Sequence, residues 1–193
     1  MYSQSKLFFS NFSKIFNDQS SLRQEAVKSY AKNSEFTVFI TNQINNIIEV
    51  MGYEHQNEYY RIDALGYTSQ KNKLDIMKGF KAQCWDLKIA VEHENDPEEW
   101  LDEVIKLAHI CCPLRVIIGY VPMHLREKGD SIRLEYAANA LKRLDCSDNV
   151  VHGEFMVILG NCDTKGEEQN FFNYKAYVLN RETFAFENLE KYI

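Results

Sequence analysis

The chain has 193 residues, of which 45% are hydrophobic, 26% charged and 13% aromatic, a composition that fits one globular domain with its own core. Its net charge of −6 speaks against a dedicated, non-enzymatic nucleic-acid binder, which carries a basic footprint. With no secretory leader and no run of about 18 apolar residues, a cytoplasmic protein without a membrane partner is expected.

Residues 3–16 and 20–31 read as two short helices. In the first, Leu7, Phe8, Phe12, Ile15 and Phe16 line one face, which suits packing on a core better than lying on a membrane surface. The next helix is clearer. Ser34 is its expected N-cap, Phe36, Phe39, Ile40, Ile44, Ile47, Ile48 and Met51 recur at three and four, and Gly52 ends it. The period then changes to two. NEYYRIDALGY (57–67) is expected to form one strand, LDIMKGF (74–80) a short second, and AQCWDLKIAVEHE (82–94) the strongest of the three. Asn95 to Pro97 stops the last of these, with Pro97 suited to the first turn of a helix over 98–110.

LRVIIGYV (114–121) is a nearly unbroken apolar run, as in a strand buried on both faces. A helix over 131–144, a strand over 154–161 and two strands near 171–179 and 183–187 complete the order. The unit from 82 to 121 implies a parallel crossover, and the closely spaced strands before it imply antiparallel pairing. The fold class is therefore α/β, a mixed sheet flanked by helices. It divides into a helical extension over 1–33, a core over 34–121, and a helix and strands over 122–193 that complete the sheet.

Five cysteines without a C-x-x-C pair point to reduced thiols rather than disulfides or zinc, and His109, Cys111 and Cys112 read as packing. Charge is patterned along the chain. Residues 61–88 carry six basic side chains against Asp63, Asp75 and Asp86, and residues 115–143 carry six against Glu127, Asp130 and Glu135. Between them, residues 89–106 hold seven acids against Lys106. An acidic knot between basic segments suits a metal-dependent enzyme on a polyanion, and equally a solvated helix.

Strand alternation places Lys88, Ala90, Glu92 and Glu94 on one face, with Ile89, Val91 and His93 on the other. Two acids side by side at the end of an apolar strand repel each other and resist burial, which a divalent cation would relieve. Asp63 is out of keeping with strand propensity and is the third candidate ligand. The competing expectation is that Glu92 and Glu94 lie on an exposed edge, paired with Lys88, Lys106 or Arg61. His93 is expected in the core or on the surface, away from the acids.

Taken in order, RIDALGY, KIAVEHEND, the helix EEWLDEVIKLAHI and the strand LRVIIGYV resemble the core of the PD-(D/E)xK nuclease superfamily over roughly residues 34–121. The resemblance implies a restriction endonuclease-like fold, with Asp63 as the motif aspartate and Glu92 as the first acid of the third-strand pair. Glu94 stands where most of the superfamily has lysine, a departure known in a subset of its restriction endonucleases. Lys88 or Lys106 is the substitute the resemblance suggests. Glu49 on the preceding helix is the candidate for an additional metal-binding acid, with Glu58 a weaker one.

The implied function is a Mg²⁺- or Mn²⁺-dependent endonuclease hydrolysing phosphodiester bonds, in DNA before RNA, with a homodimer allowed. The alternative is a non-catalytic module on the same scaffold that binds a protein or nucleic-acid partner. No P-loop, GxGxxG, GxSxG or HExxH is present to support a nucleotide-binding, serine-hydrolase or zincin reading.

Overall fold

A computed structural model describes residues 2–16, 21–30, 32–69, 85–97, 99–122, 126–144, 152–161 and 172–192, with 126–129 described by backbone alone. Three helices come first: α1 (Ser3–Ile15), α2 (Ser21–Tyr30) and α3 (Asn33–Val50). Lys32, not Ser34, occupies the N-cap of α3, and no side chain caps it. At its other end Gly52 takes φ +87°, the left-handed geometry in which glycine closes a helix.

The strands are β1 (Glu54–Tyr59), β2 (Ile62–Ser69), β3 (Trp85–His93), β4 (Leu114–Val121), β5 (Glu154–Asn161), β6 (Lys175–Asn180) and β7 (Ala185–Asn188). Helices α4 (Trp100–Ala108) and α5 (Arg126–Arg143) separate β3, β4 and β5, and a short 3₁₀ helix (Leu189–Tyr192) follows β7. The seven strands form one sheet in chain order. β1–β2–β3 are antiparallel, β3–β4–β5 parallel and β5–β6–β7 antiparallel. The parallel crossover and the mixed α/β class agree with the expectation.

The single strand expected over 57–67 is instead broken by a hairpin turn, its first residues belonging to β1 and its last to β2. β1 turns back through Tyr60 and Arg61, with Tyr59 paired to Ile62. Both turn residues have positive φ, +52° and +63°, as in the type I′ turn that matches the twist of a hairpin. Asn-Gly normally marks that turn, so a Tyr-Arg turn is invisible to composition. The strand expected over 74–80 lies outside the described residues, as do Lys71, Lys73, Lys78 and Lys81.

Each face of the sheet buries its own core. On one face α1 and α3 bring Phe8, Phe12, Phe36, Ile40, Ile44 and Ile48 onto Ile89, Val91, Val116 and Ile118. On the other, α4 and α5 bring Trp100, Val104, Leu107, Leu134 and Leu141 onto Leu65, Ala90, Ile117 and Val157. β4 is buried along its whole length. Trp100, at the start of α4, lies against Gly119 of β4 so closely that a Cβ there would come 2.8 Å from the indole Cγ. That close approach fixes α4 on the second face, beside the strand ends that carry the acids. Pro97 lies three residues ahead of α4 rather than within its first turn.

Candidate active site

The register of β2 on β3, with Ala64 opposite Val91, brings Asp63 beside Glu92 one position further along. Both acids sit on the face covered by α4, at the end of β3, where the two strands run out. Asp63 does not continue the ladder with its backbone. Its Oδ2 instead accepts a hydrogen bond from the His93 amide at 2.7 Å. The side chain thus closes the strand end and is fixed in place by the residue next to its partner.

Glu92 is 1% exposed. From α4, Lys106 places Nζ 2.8 Å from Glu92 Oε1, and the same nitrogen pairs with Glu103 one helical turn back and donates to the Arg61 carbonyl at 2.9 Å. The contact with Glu92 is an ion pair by distance but is out of line for a hydrogen bond, so that buried Oε1 has no aligned donor. One lysine nitrogen therefore ties together β3, α4 and the β1–β2 turn.

The electrostatics follow from burial. Removal from water raises the pKa of Glu92 from an ordinary 4.5 to about 8, and the charge of Asp63 adds to the rise while Lys106 opposes it. Burial also raises Asp63, against the His93 amide and Lys106, which favour its charged form. For Lys106, burial works against the charge, but Glu103 and Glu92 outweigh it and the pKa rises. Lys106 is thus a fixed cation beside two acids that resist ionising together.

The other expected site residues go elsewhere. Glu94 lies past the end of β3, and its Oε1 accepts from the Asp96 amide at 2.7 Å, so alternation no longer governs where it points. Among the described residues no three His, Cys, Asp or Glu side chains are grouped to hold a metal ion, so Asp63, Glu92 and Glu94 do not form a three-carboxylate set. Lys88 pairs with Asp86 at 2.6 Å. Glu49 stands exposed near the end of α3, 3.2 Å from His55 Nε2, and Glu58 is exposed on β1. Glu103 is not among the expected residues; its signal is the i, i+3 spacing to Lys106 on the amphipathic α4.

His93 points away from the acids, into the first core. Its Nε2 lies 2.9 Å from the Tyr120 hydroxyl, which in turn meets the Tyr174 hydroxyl at 3.1 Å. Burial lowers its pKa from 6.5 to about 3, so the ring is neutral and serves packing. Cys112 is buried and Cys111 exposed, both as free thiols. Among the described residues no helix is long and apolar enough to cross a membrane.

No family model matches the chain, and no curated protein matches it.

Proposed function

We propose that the protein is a divalent-metal-dependent phosphodiesterase that cleaves nucleic acid, DNA before RNA, at the cluster of Asp63, Glu92 and Lys106. The observation that carries this reading is two acids from adjacent strands meeting at a strand end, with a lysine from the crossover helix 2.8 Å from one of them. It resembles the acid–acid–lysine set of the PD-(D/E)xK superfamily, with the lysine supplied by α4 in place of the third strand.

The acids suit a hard cation. Mg²⁺ and Mn²⁺ take oxygen ligands and commonly use one or two carboxylates, the rest being water and substrate oxygens. Asp63 and Glu92 supply two carboxylates, one with a buried oxygen that lacks an aligned donor. Bound by these two side chains, the ion would supply a Lewis acid and a lowered pKa for the attacking water. Lys106 keeps its proton, since Glu103 and Glu92 favour its charged form, and stabilises negative charge as it builds on the phosphate oxygens. The His93 amide holds Asp63 in a single orientation. Glu94, Lys88 and Glu49 take no part in this scheme.

The test is cleavage of mixed-sequence DNA and RNA in Mg²⁺ or Mn²⁺. Asp63→Asn and Lys106→Ala should each lower the rate by two orders of magnitude or more, as expected when a preorganised electrostatic group is lost. Cleavage that persists in EDTA with Asp63→Asn would end the reading.

One observation favours a non-catalytic scaffold instead. Lys106 already offsets Glu92 and is itself paired with Glu103, so the acids carry a counter-charge without a metal. Under that reading, titration with millimolar Mg²⁺ or Mn²⁺ gives no binding heat, and Glu92→Gln changes stability alone.

A further inference from the structure

Among the described residues the most exposed large apolar side chain is Tyr60, at 81%, and it stands at the β1–β2 turn beside the candidate site. Three features of that turn are left unexplained by the fold alone. Both turn residues adopt the left-handed backbone, Tyr60 at φ +52° and Arg61 at +63°, where glycine or asparagine would sit at less cost. Neither side chain is buried in return, since Arg61 is exposed as well. The turn is also held against the acids, because the Lys106 nitrogen that pairs with Glu92 donates to the Arg61 carbonyl.

The Tyr60 ring is not a loose side chain. It meets the Tyr59 ring edge to face, with centroids 4.6 Å apart and planes at 90°. Tyr59 in turn packs on Trp85 at 5.1 Å, and Trp85 stacks on Tyr67 at 4.1 Å. A row of rings across the first three strands thus holds up an aromatic surface that solvent reaches, with a guanidinium next to it in sequence.

An exposed ring and an arginine at a phosphate-cleaving site match the two chemistries of a nucleotide, a flat base and an anionic backbone. In a duplex the base faces are covered by their neighbours, so a protruding ring can stack only on an unpaired base. We infer that Tyr60 and Arg61 form a single-strand clamp, the ring stacking on one unpaired base and the guanidinium taking an adjoining phosphate, and that the substrate is single-stranded or locally unpaired nucleic acid. This rests on the nuclease reading for its setting, but it is a statement about binding and can be measured without cleavage.

The experiment is fluorescence anisotropy with a labelled oligothymidylate of about twelve nucleotides and with a hairpin duplex of equal charge, both in EDTA and at low salt. The native protein should bind the single strand at least tenfold tighter than the duplex. Tyr60→Gly should weaken single-strand binding by on the order of tenfold to a hundredfold, the worth of one stacked base. Because glycine also removes the left-handed penalty, its thermal midpoint should hold or rise, which separates lost stacking from unfolding. Tyr60→Phe should restore most of the affinity, and Arg61→Gly should flatten the salt dependence. Equal affinity for strand and duplex, no binding to either, or a Tyr60→Gly protein that binds as tightly as the native chain overturns the clamp. Cleavage assays judge the nuclease reading separately. A native protein that binds single strands through Tyr60 but never cleaves them leaves the clamp standing without the enzyme, and a nuclease indifferent to Tyr60 leaves the enzyme without the clamp.

Discussion

Glu92 is a glutamate in the interior, and its cost is set by what it meets there. An ionised carboxylate buried beside a second one is disfavoured unless a cation compensates, and here the resident cation is shared with Glu103. The consequence for stability has a definite sign. Between pH 4.5 and about 8 the native state keeps a proton on Glu92 that the unfolded chain has released. Native protons in excess mean that stability falls as pH rises through that window. Glu92→Gln removes the titration and keeps the shape. In EDTA it should leave the thermal midpoint almost unchanged at pH 4.5 and raise it at pH 9, by roughly 1–3 kcal/mol of stability or several degrees. Scanning calorimetry across that range checks it. Parallel pH profiles for the two proteins would show that Glu92 does not titrate there. Added Mg²⁺ should narrow the gap in the native protein alone, since a ligand that binds the folded state stabilises it by mass action.

What the sequence reveals differs from one element to the next. β4 announces itself as eight apolar residues in a row, and it is buried from end to end. α3 repeats at three and four and is a helix over nearly the expected span. The β1–β2 hairpin was hidden because Tyr60 and Arg61 carry neither of the residues that mark a left-handed turn, so an alternating aromatic run looks continuous across it. Alternation holds only while the strand lasts, and β3 ends at His93, so it does not fix the direction of Glu94. Asp63 and Glu92 could be read because both lie within strands whose register one ladder fixes. Lys106 stood out as the lone base in an acidic stretch, but its reach back to Glu92 depends on how α4 docks. That docking is set by Trp100 against Gly119. Gly119→Ala should therefore force Trp100 aside, cost about 1–3 kcal/mol as overpacking does, and shift Lys106 from the acids. Chemical denaturation measures the first effect. If cleavage falls further than the lost folded fraction explains, the second is supported, and an alanine tolerated without loss of stability would mean that the contact is slack.

At the scale of the whole molecule, the sheet is a partition with a core on each side, and the two sides have different tasks. The face under α4 and α5 carries the acids and must stay open at the strand ends. The face under α1 and α3 is sealed, with Phe8, Phe12, Phe36 and Ile40 among its most buried side chains. His93 and Asp63 link the two. The His93 ring packs in the sealed core, 6.0 Å from Phe36, while its amide holds the Asp63 carboxylate on the open face. α3 thus helps fix the site from behind, and α1 reaches it through Tyr174, whose ring packs on Phe12 and whose hydroxyl meets that of Tyr120. Removing residues 1–16 would uncover Phe172 and Tyr174, whose rings pack on Phe12 and Phe16, and would forfeit several buried aromatic side chains at roughly 1.5–3 kcal/mol each. For a domain whose whole stability is about 5–15 kcal/mol, that loss should prevent cooperative folding at 37 °C. The truncated chain should bind a hydrophobic dye, show no sigmoidal urea transition and cleave nothing. A truncation that unfolds at the native midpoint would show that α1 only decorates the sheet, and that the strand ends hold Asp63 and Glu92 without support from the far side.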